Sequence, residues 1–177
     1  MKVLFIHLSD FHIKEEDAVL SRVKARKICQ SLGSFDDVSK AIILFTGDIS
    51  YSGKEAEYTN AAKSLNCLRE AIELTGTPVS FFFVPGNHDV SNLRQYPYEK
   101  AKFRSDWRDY FDLQNLELEN YRSFASSFGS PSLDSGLTQF YEESIVEGGE
   151  EEKITICLVN TAPLSFVGVQ DKGLHHI

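Results

Sequence analysis

The chain has 177 residues, of which 42% are hydrophobic and 25% are charged, with 11 glycines and 5 prolines. This composition excludes collagen-like and low-complexity proteins, and the length predicts one globular domain over residues 1–177. The 26 acidic residues outnumber the 18 basic ones, and the net charge of −8 disfavours general electrostatic binding to nucleic acid. No apolar run approaches the roughly 20 residues that cross a bilayer, and we identify no export signal or membrane anchor.

The cysteine content indicates the redox environment. Cys29, Cys67 and Cys157 are an odd number of cysteines and include no Cys-x-x-Cys pair. This pattern predicts buried free thiols rather than a disulfide framework or a metal-binding pair. We therefore expect a protein of the reducing cytoplasm.

The first half of the chain alternates between predicted strands and helices. Short apolar runs begin at residues 3, 41 and 79, and helical spacing of apolar residues covers 18–32 and 54–74. Near-continuous apolar runs are typical of strands that are covered on both faces. The pattern therefore predicts a parallel βαβαβ layer with right-handed crossovers, in which His7 is a buried strand residue.

The second half of the chain is less regular. Aromatic residues between 98 and 128 predict two core helices, divided near 112–116, and a loop is predicted over 131–136. Two more strands are expected at 140–146 and 154–159, joined by a solvated acidic tip at 147–152. The sequence shows no internal repeat and no second domain.

A polar cluster follows each of the three predicted parallel strands. These clusters are Ser9-Asp10-Phe11-His12, Thr46-Gly47-Asp48-Ile49-Ser50 and Pro85-Gly86-Asn87-His88-Asp89. Each cluster alone could be an ordinary turn or a helix cap. Because the carboxyl ends of parallel strands meet at one edge of the sheet, three such clusters in order favour a common ligand site.

The residue types in these clusters suit a pair of metal ions. Asp10 and His12 are two residues apart and could face one ion, Asp48 could bridge two ions, and Asn87 could supply a neutral oxygen. Such nitrogen and oxygen ligation suits Mn, Fe, Zn or Ni. Two ions could clamp phosphate oxygens and activate a water molecule. His88 could protonate the leaving oxygen or stabilise transition-state charge.

The same three clusters resemble a known family. Asp10-x-His12, Gly47-Asp48 and Gly86-Asn87-His88-Asp89 are similar, in order and spacing, to the first three motifs of the calcineurin-like metallophosphoesterases. The resemblance implies an α/β fold, a layered β-sandwich flanked by helices, with metal-dependent phosphoester hydrolysis as its activity. The resemblance implies that Asp10 and His12 bind the first metal ion. It implies that Asp48 binds both ions and that Asn87 binds the second. His88 would be the catalytic histidine, and Asp89 would brace its turn.

The second motif resembles one branch of the family more narrowly. Gly47-Asp48-Ile49-Ser50-x-Ser52-Gly53-x-x-x-Glu57-Tyr58 is similar to the branch of cyclic-nucleotide and glycerophosphodiester phosphodiesterases. This resemblance implies a phosphodiester substrate, a small molecule or a nucleotide. Two alternatives remain open at this point: a DNA-repair-type nuclease, which the net charge disfavours, and a degenerate, non-catalytic regulatory or assembly module.

The end of the sequence departs from the family pattern. The family carries a later Gly-His-x-His motif that this chain lacks, and the only late histidines here are His175 and His176, which we expect to be a frayed terminus. We therefore expect an amino-terminal portion of a longer enzyme, with a sandwich that is incomplete at its carboxyl end. Alone, such a chain is expected to bind one metal weakly, to be nearly inactive, and to associate with itself or with the missing region.

Overall fold

The computed structural model describes residues 1–31, 37–90, 118–131 and 138–162. Three parallel strands, β1 (Val3–Leu8), β2 (Lys40–Thr46) and β3 (Val79–Val84), form one sheet in the order β1-β2-β3. A short 3-10 helix (Glu15–Asp17) and helix α1 (Ala18–Ser31) lie between β1 and β2, and helix α2 (Glu55–Glu73) lies between β2 and β3. The predicted parallel βαβαβ order is confirmed.

Helices cover one face of this sheet. The apolar spacing of α2 buries the side chains predicted for it, namely Tyr58, Ala61, Leu65, Leu68 and Ile72. Helix α3 (Glu119–Ser127) adds further aromatic residues to the same core, among them Tyr121, Phe124 and the following Phe128. In α1, the spacing of apolar residues predicts that Val23 faces the core, but Val23 is 44% exposed, so this prediction is wrong. The other predictions for 32–33, 98–117 and 132–136 lie outside the described residues.

The second sheet is an antiparallel hairpin of β4 (Thr138–Glu147) and β5 (Glu150–Val159). The turn between them consists of Gly148 and Gly149, whose φ values are 62° and 89°. Two glycines with positive φ make the two-residue turn that the right-handed twist of a hairpin favours. The predicted solvated hairpin is confirmed, but its tip is shorter than the predicted 147–152, since residues 150–152 already belong to β5 as exposed strand residues.

The hairpin packs on the opposite face of the parallel sheet from the helices. Ile156 and Leu158 of β5 form a buried cluster with Ile42 and Phe82 of the parallel sheet. The fold is therefore α/β, with two packed sheet layers and helices on the outer face of the parallel sheet, as predicted.

A polar contact also joins the two sheets. Glu143 Oε1 of β4 lies 2.7 Å from Lys40 Nζ and accepts a 2.7 Å hydrogen bond from Ser80 Oγ. Burial opposes ionisation of Glu143, but the hydrogen bonds from Lys40 and Ser80 outweigh it and lower the pKa of this carboxyl. The ionised Glu143 side chain thus links β4 to both β2 and β3.

Two burial predictions need correction. Strand β1 is covered on its helix side, where Ile6 is buried, but Phe5 on the other side is 50% exposed and His7 is exposed. The prediction of a buried His7 is therefore wrong, because the buried part of the hairpin packs on β2 and β3. His7 Nε2 instead lies 2.7 Å from Thr46 Oγ1.

The three cysteines are free, as predicted, but they are not buried. Cys29 and Cys67 are half-buried, while Cys157 is exposed in β5. The alternation of an antiparallel strand with one solvated face turns Cys157 away from the core residues Ile156 and Leu158. Within the described ranges, none of the helices combines the length and the apolar character needed to span a membrane.

Candidate metal centre

The loops that follow the three parallel strands meet at one edge of the sheet. The Asp10 N–H donates to the Gly47 carbonyl at 3.1 Å, and the His12 N–H donates to the Asp48 carbonyl at 2.9 Å. The third loop joins them through the His88 N–H, which donates to Asp48 Oδ1 at 2.9 Å. The structure therefore brings the three sequence clusters together, as the strand order predicted, with Asp48 at the centre.

Three of these residues have unusual backbone conformations. Asp10, His12 and Asp48 have φ values of 56°, 46° and 56°, in the left-handed region that residues other than glycine seldom adopt. Such conformations cost about 1–3 kcal/mol each and persist only where the surrounding structure holds them, most often at functional sites. The loop hydrogen bonds described above supply that support.

The side chains form a group of donor atoms at the spacing of metal ligands. His12 Nε2 lies 3.8 Å from Asp10 Oδ1 and 4.0 Å from Asp48 Oδ2, which is too far for hydrogen bonds. Three donor atoms lie within 4.8 Å of one another, one from each of His12, Asp48 and His88. Ligand atoms bound at about 2.0–2.2 Å from one ion are themselves roughly 3–4 Å apart. The group is therefore a candidate metal site.

The other nitrogen of the His12 ring is left without a partner. Nδ1 is buried and has no hydrogen-bond partner in the part of the chain that the structure describes. A buried polar atom without a partner is uncommon. With Nε2 bound to an ion, Nδ1 would carry the proton and donate it to an acceptor such as a water molecule. The Asp48 side chain is 15% exposed and that of Asp10 is 67% exposed, so the group reaches from the protein interior to the solvent.

His88 is oriented by a backbone group that the sequence analysis did not identify. Its Nδ1 lies 2.9 Å from the carbonyl oxygen of Tyr51. Because a carbonyl can only accept, Nδ1 carries the proton, and Nε2 of the neutral ring has a free lone pair. The ring centroids of His88 and His12 are 4.5 Å apart. No side-chain pattern could have predicted the role of Tyr51, since its backbone carbonyl is what makes the contact.

Asn87 lies in the wall of a cleft that it shares with Asp48. The cleft has a volume of about 440 Å³. Its walls are formed by strands β2, β3 and β5 and by the loops that follow β2 and β3. Its walls near the loops include Gly47 and Gly86. Asn87 is half-buried there. His175 and His176 lie outside the described residues.

Asp89 braces the second and third loops, as predicted. Its two carboxylate oxygens accept five hydrogen bonds, at 2.9–3.2 Å, from the N–H groups of Ile49, Ser50 and Gly86 and the hydroxyls of Ser50 and Tyr58. Burial raises the pKa of the Asp89 carboxyl, and the N–H donors offset part of that rise. Burial and the nearby Asp89 charge raise the pKa of Tyr58, so its hydroxyl stays protonated and donates.

The rest of the second motif has a structural role of the same kind. Glu57, at the start of α2, accepts hydrogen bonds from the Ser52 N–H at 2.8 Å and the Ser52 hydroxyl at 2.7 Å. Ser50 Oγ accepts the Gly53 N–H at 3.0 Å. These contacts shape the loop between Asp48 and α2, which explains in physical terms why Ser50, Ser52, Gly53 and Glu57 stand at this spacing.

Two glycines allow the second and third loops to approach each other closely. Gly47 has a φ of 102°, and a Cβ there would lie 2.9 Å from the Gly86 Cα. A Cβ at Gly86 would lie 2.5 Å from the Asp48 backbone nitrogen and would overlap the Asp48 carboxylate. Both positions therefore require glycine, and Gly86 directly controls where the Asp48 carboxylate lies.

We expect Gly86→Ala to reduce both activity and stability. Displacing the Asp48 carboxylate by about 1 Å should lower kcat roughly 100-fold, while the strain costs about 1–3 kcal/mol of unfolding free energy. Gly76→Ala is the control for backbone strain without a contact, since Gly76 has a positive φ of 83° and a Cβ there would contact nothing within 4 Å. Kinetics and urea unfolding of both variants measure the difference. Equal kcat values for the two variants would contradict the prediction.

Comparison with known proteins agrees with this geometry. A model of the calcineurin-like phosphoesterase family matches residues 3–166, which is most of the chain. The chain therefore belongs to the calcineurin-like phosphoesterase family, whose members hydrolyse phosphoester bonds and generally depend on divalent metal ions. A search of curated protein sequences found no match. The family assignment made from the three motifs is confirmed, while the narrower branch remains a prediction.

Proposed function

We propose that this protein is a metal-dependent phosphodiesterase that uses two divalent or trivalent ions, drawn from Mn, Fe, Zn and Ni. The observation that carries the proposal is the convergence of His12, Asp48 and His88, from three different loops, on one group of donor atoms. These three residues could by themselves hold one ion. The proposal of a second ion rests on Asp48 and Asn87, which both line the adjoining cleft.

In the proposed site each residue has a distinct task. Asp10 and His12 would hold the first ion, Asp48 would contact both ions, and Asn87 would hold the second with a neutral oxygen. Bound ions supply charge that polarises the phosphoryl oxygens and lowers the pKa of an attacking water. The protein's own contribution is to fix the ligands through the strained loops and to present His88 beside them.

His88 would act on the leaving oxygen through Nε2. Its Nδ1 proton is held by the Tyr51 carbonyl, so donation from Nε2 requires the imidazolium form of the ring. Asp48 Oδ1 accepts the His88 backbone N–H and so fixes His88 relative to Asp48. Nε2 then protonates the leaving alkoxide, and the Tyr51 carbonyl keeps the ring in place throughout.

Hydrolysis of bis(p-nitrophenyl) phosphate with added Mn²⁺ tests the proposal. We expect activity that EDTA abolishes and Mn²⁺ restores, measured on this chain and on the product of the whole open reading frame that contains it. The sequence predicts that a form carrying the later histidine motif is much the more active. Activity on DNA but not on small diesters would favour the nuclease alternative. Absence of metal-dependent hydrolysis at both lengths would contradict the proposal and favour a non-catalytic module.

A further inference from the structure

Lys14 and Tyr51 form a pair beside the candidate metal site. Lys14 Nζ lies 4.7 Å from the centroid of the Tyr51 ring, and that centroid lies 5.6 Å from the centroid of the His88 ring. These two distances place the ammonium within about 10 Å of His88. The backbones of the pair are also joined, because the Tyr51 N–H donates to the Ile13 carbonyl at 3.0 Å.

The backbone of Lys14 is anchored on both sides. Its N–H donates to Asp17 Oδ2 at 3.1 Å, and its carbonyl accepts a hydrogen bond from Asn60 Nδ2 of helix α2 at 3.3 Å. The side chain is half-buried and lies over an aromatic ring, which attracts the ammonium. Its position is therefore more restricted than that of a freely moving surface lysine.

The Lys14 ammonium has no carboxylate partner among the described residues. The ion pairs within 4.0 Å there do not include it, and the Asp17 carboxylate bonds to the Lys14 backbone N–H. Lys2, Lys40 and Lys153, in contrast, each lie beside a carboxylate. A restricted, unpaired cation at the edge of a site attracts an anionic group of a ligand.

We propose that Lys14 is a positioning residue that binds a second phosphate group of the substrate. The proposal rests on the proposed function, since the phosphoester to be hydrolysed would lie at Asp48 and His88. A separation of no more than about 10 Å between the Lys14 ammonium and the His88 ring is short enough for one substrate to place a phosphate at each. Lysine binds phosphate as a point charge. Because the ammonium already covers the Tyr51 ring, stacking of a base on that face is disfavoured, and the substrate class is a phosphodiester that carries an additional phosphate.

Two p-nitrophenyl esters that differ only in the second phosphate test this inference. The probes are thymidine 5′-(p-nitrophenyl phosphate) with and without a 3′-phosphate. For the ester with the 3′-phosphate, we expect Lys14→Met to raise KM about tenfold and to leave kcat nearly unchanged. For the ester without it, KM should change less than twofold. Lys14→Arg should retain the preference for the 3′-phosphorylated ester, and the rise in KM caused by Lys14→Met should be smaller in 0.5 M NaCl. Lys63→Met, at an exposed residue of α2, is the control of equal charge change.

A binding measurement separates this inference from the proposed function. Isothermal titration of the Mn²⁺-loaded protein compares thymidine 3′,5′-bisphosphate with thymidine 5′-phosphate and requires no turnover. Tighter binding of the bisphosphate that Lys14→Met removes would support the Lys14 site even if no hydrolysis is detected. Equal effects of Lys14→Met on both ligands, no effect on either, or the same effect from Lys63→Met would overturn it.

Discussion

Asp48→Asn is expected to abolish phosphodiester hydrolysis while leaving the fold intact. The substitution removes the charge of the carboxylate at the centre of the three loops, so kcat/KM should fall at least about 10³-fold. The asparagine oxygen can still accept the His88 N–H that now donates to Oδ1 at 2.9 Å. Asparagine also tolerates the left-handed backbone, here with a φ of 56°. The unfolding free energy should therefore change by less than about 1 kcal/mol.

Asp37→Asn is the matched control for this variant. Asp37 is exposed and has a φ of 68°, so the same chemical change is made at a similar backbone conformation away from the candidate metal site. Its ammonium partner, Lys2, is 3.8 Å away at the surface. We expect kcat/KM within twofold of the wild-type value, and unchanged Mn²⁺ affinity by titration. An Asp48→Asn protein that retains more than a tenth of the wild-type kcat/KM would exclude Asp48 as a shared metal ligand.

Local patterns in the sequence were sufficient to predict the parallel sheet and the position of the site. Apolar runs at 3, 41 and 79 define three strands, and parallel strands bring their carboxyl ends to one edge, so Asp10, His12 and Asp48 had to meet. The spacing of Tyr58, Ala61 and Leu65 likewise predicts the buried face of α2. These inferences need only the geometry of single elements and one rule about how parallel strands are arranged.

Predictions that depend on which surfaces meet were less successful. His7 lies in an apolar strand, and its exposure depends on how far the hairpin extends over the sheet, which no local pattern records. The exposure of Cys157 depends on the same packing. The carbonyl of Tyr51 and the lysine over its ring were missed for a related reason. Backbone acceptors and contacts between distant residues leave no signature in the spacing of a single sequence.

Asp89 provides the second large expected effect, on stability. Oδ1 accepts three of the five hydrogen bonds and Oδ2 accepts the other two. In Asp89→Asn, an NH₂ group in place of Oδ2 leaves two buried N–H donors unsatisfied. An NH₂ group in place of Oδ1 leaves the Ser50 N–H unsatisfied and forces the Ser50 and Tyr58 hydroxyls to use the His88 and Asp89 carbonyls instead. The expected loss of unfolding free energy is about 2–4 kcal/mol, measured by urea unfolding with an unchanged m-value.

A comparison at Asp17 and a double-mutant cycle with Tyr58 make this prediction specific. Asp17 accepts one backbone N–H, at 3.1 Å from Lys14, so Asp17→Asn can keep that bond by turning its amide and should cost less than about 1 kcal/mol. Tyr58→Phe removes one hydroxyl donor to Asp89. Because the two side chains share that hydrogen bond, the double variant should lose less than the sum of the single losses. Additive losses, or a cost for Asp89→Asn no larger than that for Asp17→Asn, would show that the carboxylate does not hold the second and third loops together. In that case the position of Asp48 and His88 would depend on the glycine contacts and on the remaining loop hydrogen bonds.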